Sequence, residues 1–313
     1  MKSFTGILIK NSRPYTLIMS CGSVMFGLVA AVLRGGVSLF PAFMTLLFAI
    51  LLQISANLLY SYLAISKSLK ENVGFRTLVF DYTEINQSNV RFLKVVSNGF
   101  AILAATAGLP LFTFIGWIGV LYILVLSILL YFYLSGPRPI VNTPYSLVIT
   151  FLVFGPLTVS GTALIQASGN EQWLPVVVYS AISGLMACNA HIAMQYIRLQ
   201  EDMGRGKNTL LIAGGFRPIR YVYVVNSLGV AAILNLRPCV YDVVAQWVPV
   251  LLGIVLLVSS VYVVSLMKGH SARSVKKIGS LTRMQYIVFI IVIMIIVAGS
   301  IQDYKFNFLH LIQ

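Results

Sequence analysis

The chain has 313 residues, of which 58% are hydrophobic and only 10% are charged, and its mean hydropathy is +0.90. Soluble globular domains carry about 25% charged residues, so this composition excludes a soluble enzyme or a soluble binding domain. We predict an all-α integral membrane protein that forms a single transmembrane domain over residues 1–313.

Nine apolar stretches are long enough to cross the roughly 30 Å hydrocarbon core of a bilayer. In chain order, these predicted spans are residues 15–33, 37–65, 92–111, 114–134, 146–166, 173–197, 218–236, 243–267 and 284–300. No small-residue cleavage site precedes Leu33 and eight more spans follow, so we interpret the first stretch as a retained helix rather than a signal peptide.

The formal net charge of +14 indicates membrane topology rather than nucleic-acid binding. Of the 22 lysines and arginines, 19 lie in the N-terminus and around the connections after spans two, four, six and eight, whereas Arg34, Arg237 and Lys305 lie on the other side. The positive-inside rule then predicts a cytoplasmic N-terminus and an outside C-terminus. We expect a multi-pass protein of the bacterial inner (cytoplasmic) membrane whose basic side contacts anionic lipid.

Spans two and six carry polar stripes that run into long predicted cytoplasmic connections. The stripe on span two comprises Gln53, Asn57, Tyr60, Ser61 and Ala64. The stripe on span six comprises His191, Gln195, Arg198 and Asp202. Helical spacing places each set on one face. Such residues often make interhelical hydrogen bonds, and a single histidine in a span is more often a satisfied polar contact than a base or ligand. Because both stripes end at the same interface, the alternative is a shared cytoplasm-facing cavity.

An acidic pair, basic side chains and glycines converge in the connection after span six, at residues 197–210. Carboxylates such as Glu201 and Asp202 can hold a divalent cation, and Arg198, Arg205 and Lys207 can contact phosphate oxygens. No strand precedes this segment, so we do not expect a nucleotide-binding P-loop. The segment is predicted to bind an anion directly or through a divalent cation.

Four segments carry a resemblance to a known family: residues 12–17 before span one, 52–58 on span two, 154–162 on span five, and 202–210 with a Gly-Lys-x-Thr-Leu ending. In this order they resemble the UbiA superfamily of intramembrane prenyltransferases, and most of all its 1,4-dihydroxy-2-naphthoate polyprenyltransferases of menaquinone synthesis. The resemblance covers roughly residues 10 to 215.

The resemblance implies nine helices around a central cavity that opens laterally to lipid. In the family, two Asp-rich motifs hold Mg²⁺ on the diphosphate of a polyprenyl donor, which alkylates an aromatic acceptor. By this resemblance, the catalytic residues would be Asp202 and Asn57, and the metal ligands would be Asp202 and Glu201. The diphosphate would be bound by Arg198, Arg205 and Lys207. The acceptor cavity would be lined by Gln53, Tyr60, Ser61, His191 and Gln195.

The chain departs from the family pattern at the metal-binding positions. Where the first Asp-rich motif would follow Asn57, the chain has Tyr60, Ser61 and Ala64, and no carboxylate. In the second motif, Arg198 and Gln200 replace acidic residues and Asp202 remains.

Several hypotheses therefore stay open. One is an enzyme in which Arg198, Arg205 and Lys207 replace part of the metal charge. Another is a non-catalytic paralogue that binds an isoprenoid or quinone-type lipid or a partner membrane enzyme. A transporter is less favoured, because the spans lack paired broken helices and the buried ionisable residues that coupling requires.

Overall fold

The computed structural model describes residues 4–70, 79–80, 83–84, 87–136, 138–166, 173–235 and 247–310. Its helices are α1 Phe4–Ser12, α2 Leu17–Leu33, α3 Leu39–Lys70, α4 Gln87–Gly108, α5 Phe112–Ile115, α6 Trp117–Leu134, α7 Ser146–Leu152, α8 Thr158–Ile165, α9 Leu174–Ile197, α10 Leu199–Gly204, α11 Leu210–Gly214, α12 Phe216–Leu234, α13 Trp247–Leu266 and α14 Ala272–His310. Short 3₁₀ turns cover Pro14–Thr16, Leu109–Leu111 and Ile140–Asn142. A two-residue antiparallel pair, Val79–Phe80 with Thr83–Glu84, follows α3.

The protein is a multi-pass, helical membrane protein. Within its described residues, eight helices or runs of helices are long and apolar enough to cross a bilayer. The seventh span predicted from sequence corresponds to α12. This helix carries Arg217 and Arg220 near its start and is not among those eight. The nine-span count and the orientation of the termini therefore stay predictions. The predicted start of the eighth span, at Val243, lies outside the described residues.

Three helical segments extend beyond the predicted spans. Residues 4–12 form α1, α3 continues past Ile65 to Lys70, and α14 begins at Ala272 rather than at Met284. Hydropathy marks only the lipid-crossing part of a helix, whereas Lys and Arg are good helix formers that prolong it into the polar region. The predicted connection after span six contains the short helices α10 and α11.

Helix α9 forms the centre of the bundle. It packs against α2, α7, α8, α12 and α14. In the largest apolar cluster, the Phe26 ring lies 6.2 Å from the Tyr179 ring and 6.2 Å from the Phe289 ring, which joins α2, α9 and α14. This packing holds the end of α9, and with it the second polar stripe, beside the start of α2.

A π-helical segment, Val153–Leu157, joins α7 to α8. Pro156 inside it has no N–H group to donate to the helical ladder, and such π segments occur often at functional sites. A Cβ atom at Gly155 would lie 2.5 Å from the Ser180 carbonyl oxygen on α9, so only glycine permits this close approach. The π segment consequently turns Val153 and Phe154 toward a cavity inside the bundle.

Candidate functional site

An elongated cavity of about 310 Å³ lies between α2, α3, α6, the π segment, α8 and α9. On α3 its wall extends from Thr45 to Tyr60, a distance of about 22 Å at 1.5 Å per helical residue. Leucine, phenylalanine and valine side chains line most of its length. The charged residues gather at one end, where α2 begins and α9 ends. The cavity therefore joins a long apolar chamber to a charged mouth.

The two polar stripes meet on this cavity. Of the site residues predicted from sequence, those that line it are Gln53, Asn57, Tyr60, His191, Gln195, Arg198, Asp202 and Lys207. Three predicted residues lie elsewhere. Ser61 is fully buried and donates to the Asn57 carbonyl oxygen of its own helix at 3.2 Å. Glu201 and Arg205 form an ion pair with each other.

Asn57 holds a tight turn that carries Arg13 into the mouth of the cavity. Its Nδ2 donates to the Ser12 carbonyl oxygen and to the Thr16 hydroxyl, each at 2.9 Å. The Thr16 hydroxyl and N–H in turn donate to the Arg13 carbonyl oxygen at 2.9 and 2.8 Å. These bonds stabilise Arg13 in the left-handed backbone region, at φ 52°, which a non-glycine residue adopts only under constraint.

Two cations flank the buried ring of Tyr60. The Arg13 guanidinium lies 4.6 Å from the ring centroid and the Lys207 ammonium lies 5.0 Å from it. Such contacts stabilise a cation when water is excluded. The Lys207 ammonium is also 2.7 Å from Oδ1 of Asp202, in a pair whose side chains are only 9% and 6% exposed. Arg13, Tyr60, Lys207 and Asp202 thus form one compact charged group.

A glycine turn brings Lys207 back to Asp202. The Lys207 N–H donates to the Asp202 carbonyl oxygen at 3.1 Å, while Gly206 occupies the left-handed region at φ 63°. The following N–H, of Asn208, donates to the Asn142 carbonyl oxygen at 2.9 Å. The turn is therefore anchored on both sides, which fixes the backbone position of Lys207 beside Asp202.

Arg198 stands between this cavity and a second one. Its guanidinium donates to the Tyr15 hydroxyl and lies over the Tyr15 ring. Both residues also line a cavity of about 510 Å³ between α1, α2, α9 and α14, whose wall includes Lys10, Glu201 and Lys276. Glu201 therefore belongs to the second cavity and not to the first.

Gln195 and His191 complete the polar wall on α9. Oε1 of Gln195 accepts from the Leu211 N–H at 3.2 Å, whereas its buried Nε2 has no hydrogen-bond partner in the described part of the chain. The two ring nitrogens of His191 face the hydroxyls of Ser146 and Thr150 at 3.2 and 3.3 Å. These are neutral contacts of the ordinary structural kind, and a role for His191 as a base stays a prediction.

Comparisons with known proteins show which fold the chain has and which enzymes it resembles. No family model matches the chain. The 1,4-dihydroxy-2-naphthoate octaprenyltransferase of Bacillus subtilis (strain 168) is 28% identical over 220 residues, which are 69% of this chain and 68% of that enzyme. A UbiA homologue from Aeropyrum pernix K1 has a TM-score of 0.60 at 14% identity and covers 91% of this chain and 98% of its own. The chain has the fold of this UbiA homologue and resembles the UbiA superfamily.

A second solved structure supports the UbiA fold and raises the question of whether this chain could bind a metal ion. It is a UbiA homologue from Archaeoglobus fulgidus bound to DMAPP and Mg²⁺, with a TM-score of 0.59, 12% identity, and coverage of 93% of this chain and 99% of its own. At this identity the likeness shows the fold, so whether the site can hold a metal depends on the residues of this chain itself.

The described residues of the UbiA cavity do not fit a Mg²⁺ site. Among those that line it, Asp202 is the one carboxylate, and Lys207 already pairs with it. The described residues include no group of three or more His, Cys, Asp or Glu that could hold a metal. Mg²⁺ is held in near-octahedral oxygen coordination through one or two carboxylates together with phosphate oxygens and water, and the one carboxylate on this described wall is already paired with a lysine. The other predicted ligand, Glu201, pairs with Arg205 away from this wall.

Sequence reasoning missed Arg13 and Tyr15 as wall residues of the UbiA cavity. Both belong to the segment at residues 12–17 that carries part of the family resemblance, so a signal existed. The positive charge of Arg13 was interpreted only as a topology signal, because nothing local indicates that Asn57, 44 positions later, would hold the turn around it.

Proposed function

We propose that this UbiA-type protein binds a polyprenyl diphosphate in the elongated cavity and transfers the polyprenyl group to an aromatic acceptor in menaquinone-type quinone synthesis. The observation that supports it most directly is the union, in one cavity, of a long apolar wall with a mouth containing Arg13, Arg198 and Lys207. An isoprenoid chain matches the apolar wall, and a diphosphate matches three cations.

In this proposal the cationic mouth assists departure of the diphosphate. The allylic C–O bond breaks, and both electrons leave with the diphosphate. An aromatic carbon of the acceptor attacks the allylic cation, and the ring then passes its proton to the released diphosphate. Arg13 and Arg198 donate to the oxygens on which negative charge grows, and Lys207 adds a third cation. Preorganised donors at the position of developing charge stabilise the transition state more than the ground state.

The similarity to a 1,4-dihydroxy-2-naphthoate octaprenyltransferase makes that naphthoate the first acceptor to test. The neutral polar residues Gln53 and Gln195 lie on the same wall as the cations. We propose that Gln53 orients the hydroxyl and carboxylate groups of the acceptor close to the diphosphate end of the chamber, which Gln195 faces.

A second candidate function is binding of the isoprenoid lipid without transfer. Its specific support is that Asp202, the one carboxylate on the described wall, is paired with Lys207 and so is poorly placed to act as a base or metal ligand. A protein that retains the binding cavity and lacks the reaction would present the same arrangement.

The deciding experiment is a transfer assay on the purified protein in phosphatidylcholine nanodiscs. Geranylgeranyl diphosphate and 1,4-dihydroxy-2-naphthoate are supplied with Mg²⁺ or with EDTA, and products and bound lipid are measured by mass spectrometry. A prenylated naphthoate that disappears in the combined Arg13→Gln, Lys207→Gln variant supports transfer. Bound diphosphate without product supports the second candidate. If the protein binds no diphosphate with Mg²⁺ and none with EDTA, both candidate functions are overturned.

A further inference from the structure

We infer that this chain neutralises the diphosphate with its own side-chain cations and binds it without a divalent metal. The inference rests on the proposed function for the identity of the lipid. Its basis is the sign of the mouth: Arg13, Arg198 and Lys207 contribute three positive charges and Asp202 contributes one negative charge, so the described mouth carries 3 − 1 = +2. A site built to hold a divalent cation would have the opposite sign.

The ion pair between Lys207 and Asp202 already occupies the only carboxylate on the described wall. Its atoms are 2.7 Å apart, and the lysine also lies over the Tyr60 ring. Displacing a nearly buried ammonium would leave a desolvated charge without its partner, which is strongly unfavourable. An incoming anion, in contrast, would give Lys207 a second partner while its ion pair with Asp202 stays in place.

Each of the two guanidinium groups is held in the mouth by neighbouring side chains. The backbone turn and the Tyr60 ring position Arg13, and the Tyr15 hydroxyl positions Arg198. Guanidinium groups bind phosphate oxygens through two parallel hydrogen bonds and stay protonated throughout the physiological range. The mouth is therefore preorganised for two phosphate groups rather than for one metal ion.

Gln195 provides independent evidence for an acceptor-rich ligand. The residue is only 4% exposed and lines the cavity, and its Oε1 already accepts from the Leu211 N–H. The group left without a partner in the described part of the chain is the donor, Nε2. An unsatisfied buried donor is unfavourable. A phosphate oxygen would satisfy it, whereas a metal ion could not.

Equilibrium binding of geranylgeranyl diphosphate to the full-length protein in phosphatidylcholine nanodiscs tests the inference. We expect binding in EDTA, with an affinity that Mg²⁺ leaves within about twofold or lowers, because Mg²⁺ complexes the free diphosphate in solution. Inorganic diphosphate should compete, since the head group makes the charged contacts. Affinity that rises about tenfold or more with Mg²⁺ would overturn metal-free binding and leave the proposed function standing. Absence of binding under both conditions would instead overturn the proposed function.

Substitution of Asp202 gives the sharpest distinction between the two kinds of site. Asp202→Asn keeps the shape of the side chain and removes the charge that competes with the diphosphate for Lys207. We expect binding in EDTA to become several-fold tighter, by roughly 3-fold or more. If Asp202 were instead a metal ligand, the variant would bind the diphosphate more weakly than the unmodified chain when Mg²⁺ is present, and that result would contradict the inference. If the variant does not fold, the comparison of EDTA with Mg²⁺ on the unmodified chain still decides.

Cation substitutions test the source of the affinity. Arg198→Gln and Arg13→Gln should each weaken binding in EDTA by about tenfold, the effect expected for loss of a charge-assisted phosphate contact. Lys276→Gln is the matched control, because it removes one basic side chain from the wall of the second cavity. Equal, small effects of all three substitutions would mean that general surface charge, and not this mouth, attracts the anion.

Discussion

Arg13 lies in the cavity mouth because Asn57 holds the chain on both sides of it, at the Ser12 carbonyl oxygen and at the Thr16 hydroxyl. At the residue scale, the amide of Asn57 thus acts as a positioning group. The family resemblance placed Asn57 among the catalytic residues, and its observed bonds go to the chain that carries Arg13. This arrangement makes the contributions of the two residues to diphosphate binding interdependent.

We predict that Asn57→Ala weakens diphosphate binding about tenfold, as Arg13→Gln does, since the turn loses both hydrogen bonds that the Asn57 amide donates to it. The combined variant should be scarcely weaker than either single one, because both substitutions remove the same contact. Affinities in a double-mutant cycle measure this coupling. Ser61→Ala is the control, as its hydroxyl bonds only within its own helix. Fully additive losses would show that Asn57 contributes by a separate route.

Gly206 permits the turn that returns Lys207 to Asp202. Gly206→Ala should destabilise this turn by about 1 kcal/mol, because φ 63° is unfavourable for a residue with a Cβ atom although no atom crowds it. We expect a lower thermal midpoint and weaker diphosphate binding. Gly204→Ala, at the end of α10, is the matched substitution and should leave both quantities unchanged. An identical response of the two variants would argue against a conformational role for Gly206.

At the element scale, the π segment shapes the cavity wall. Pro156 breaks the regular ladder between α7 and α8, and Gly155 lets the segment approach the backbone of α9 around Ser180 and Gly184. The apolar chamber depends on this close approach, since Val153 and Phe154 belong to its wall.

Gly155→Ala is therefore predicted to push the π segment away from α9. The added Cβ atom would lie 2.5 Å from a carbonyl oxygen, and backbone cannot rotate aside as a side chain does. We expect destabilisation of about 1–3 kcal/mol, seen as a lower midpoint of thermal unfolding in nanodiscs. Gly99→Ala on α4 has open space around its Cβ position and should be neutral or slightly stabilising. A midpoint for Gly155→Ala equal to that of Gly99→Ala would refute the packing argument.

At the scale of the whole molecule, the charged mouth lies at the end of the bundle where α2 begins and α9 ends. The 19-to-3 partition of lysines and arginines predicts that this end faces the cytoplasm. A diphosphate lipid made inside the cell would then reach the mouth directly, and the apolar chamber would extend toward the other leaflet.

Cysteine accessibility tests this orientation. In a background with Cys21, Cys188 and Cys239 replaced by alanine, Gln200→Cys should react with a membrane-impermeant reagent only in inside-out vesicles. Ser38→Cys, in the connection between α2 and α3, should react only in right-side-out vesicles. Both positions are exposed, so a lack of reaction is not expected from burial. The opposite pattern would place the mouth outside and contradict the predicted topology.

Sequence alone determined the properties that depend on local composition. Apolar length indicated a multi-pass membrane protein and located most of the helices to within a few residues. Helical spacing placed Gln53, Asn57 and Tyr60 on one face and Gln195 with Asp202 on another. Four short segments were sufficient to indicate the UbiA superfamily. These properties can be predicted from sequence because bilayer thickness and helical periodicity constrain residues that are close together in the chain.

Only the tertiary structure decided which charges share the mouth. Arg13 enters it through a turn held by Asn57, while Arg205, four residues from Glu201 on the same helical face, pairs with that residue instead. Lys207 returns to Asp202 because Gly206 adopts a left-handed conformation. Such pairings depend on turns and on the packing of α2, α3 and α9 across long separations in the chain. Spacing along one helix can indicate the Glu201–Arg205 pair, but it contains no information about the turns that bring Arg13 and Lys207 into the mouth.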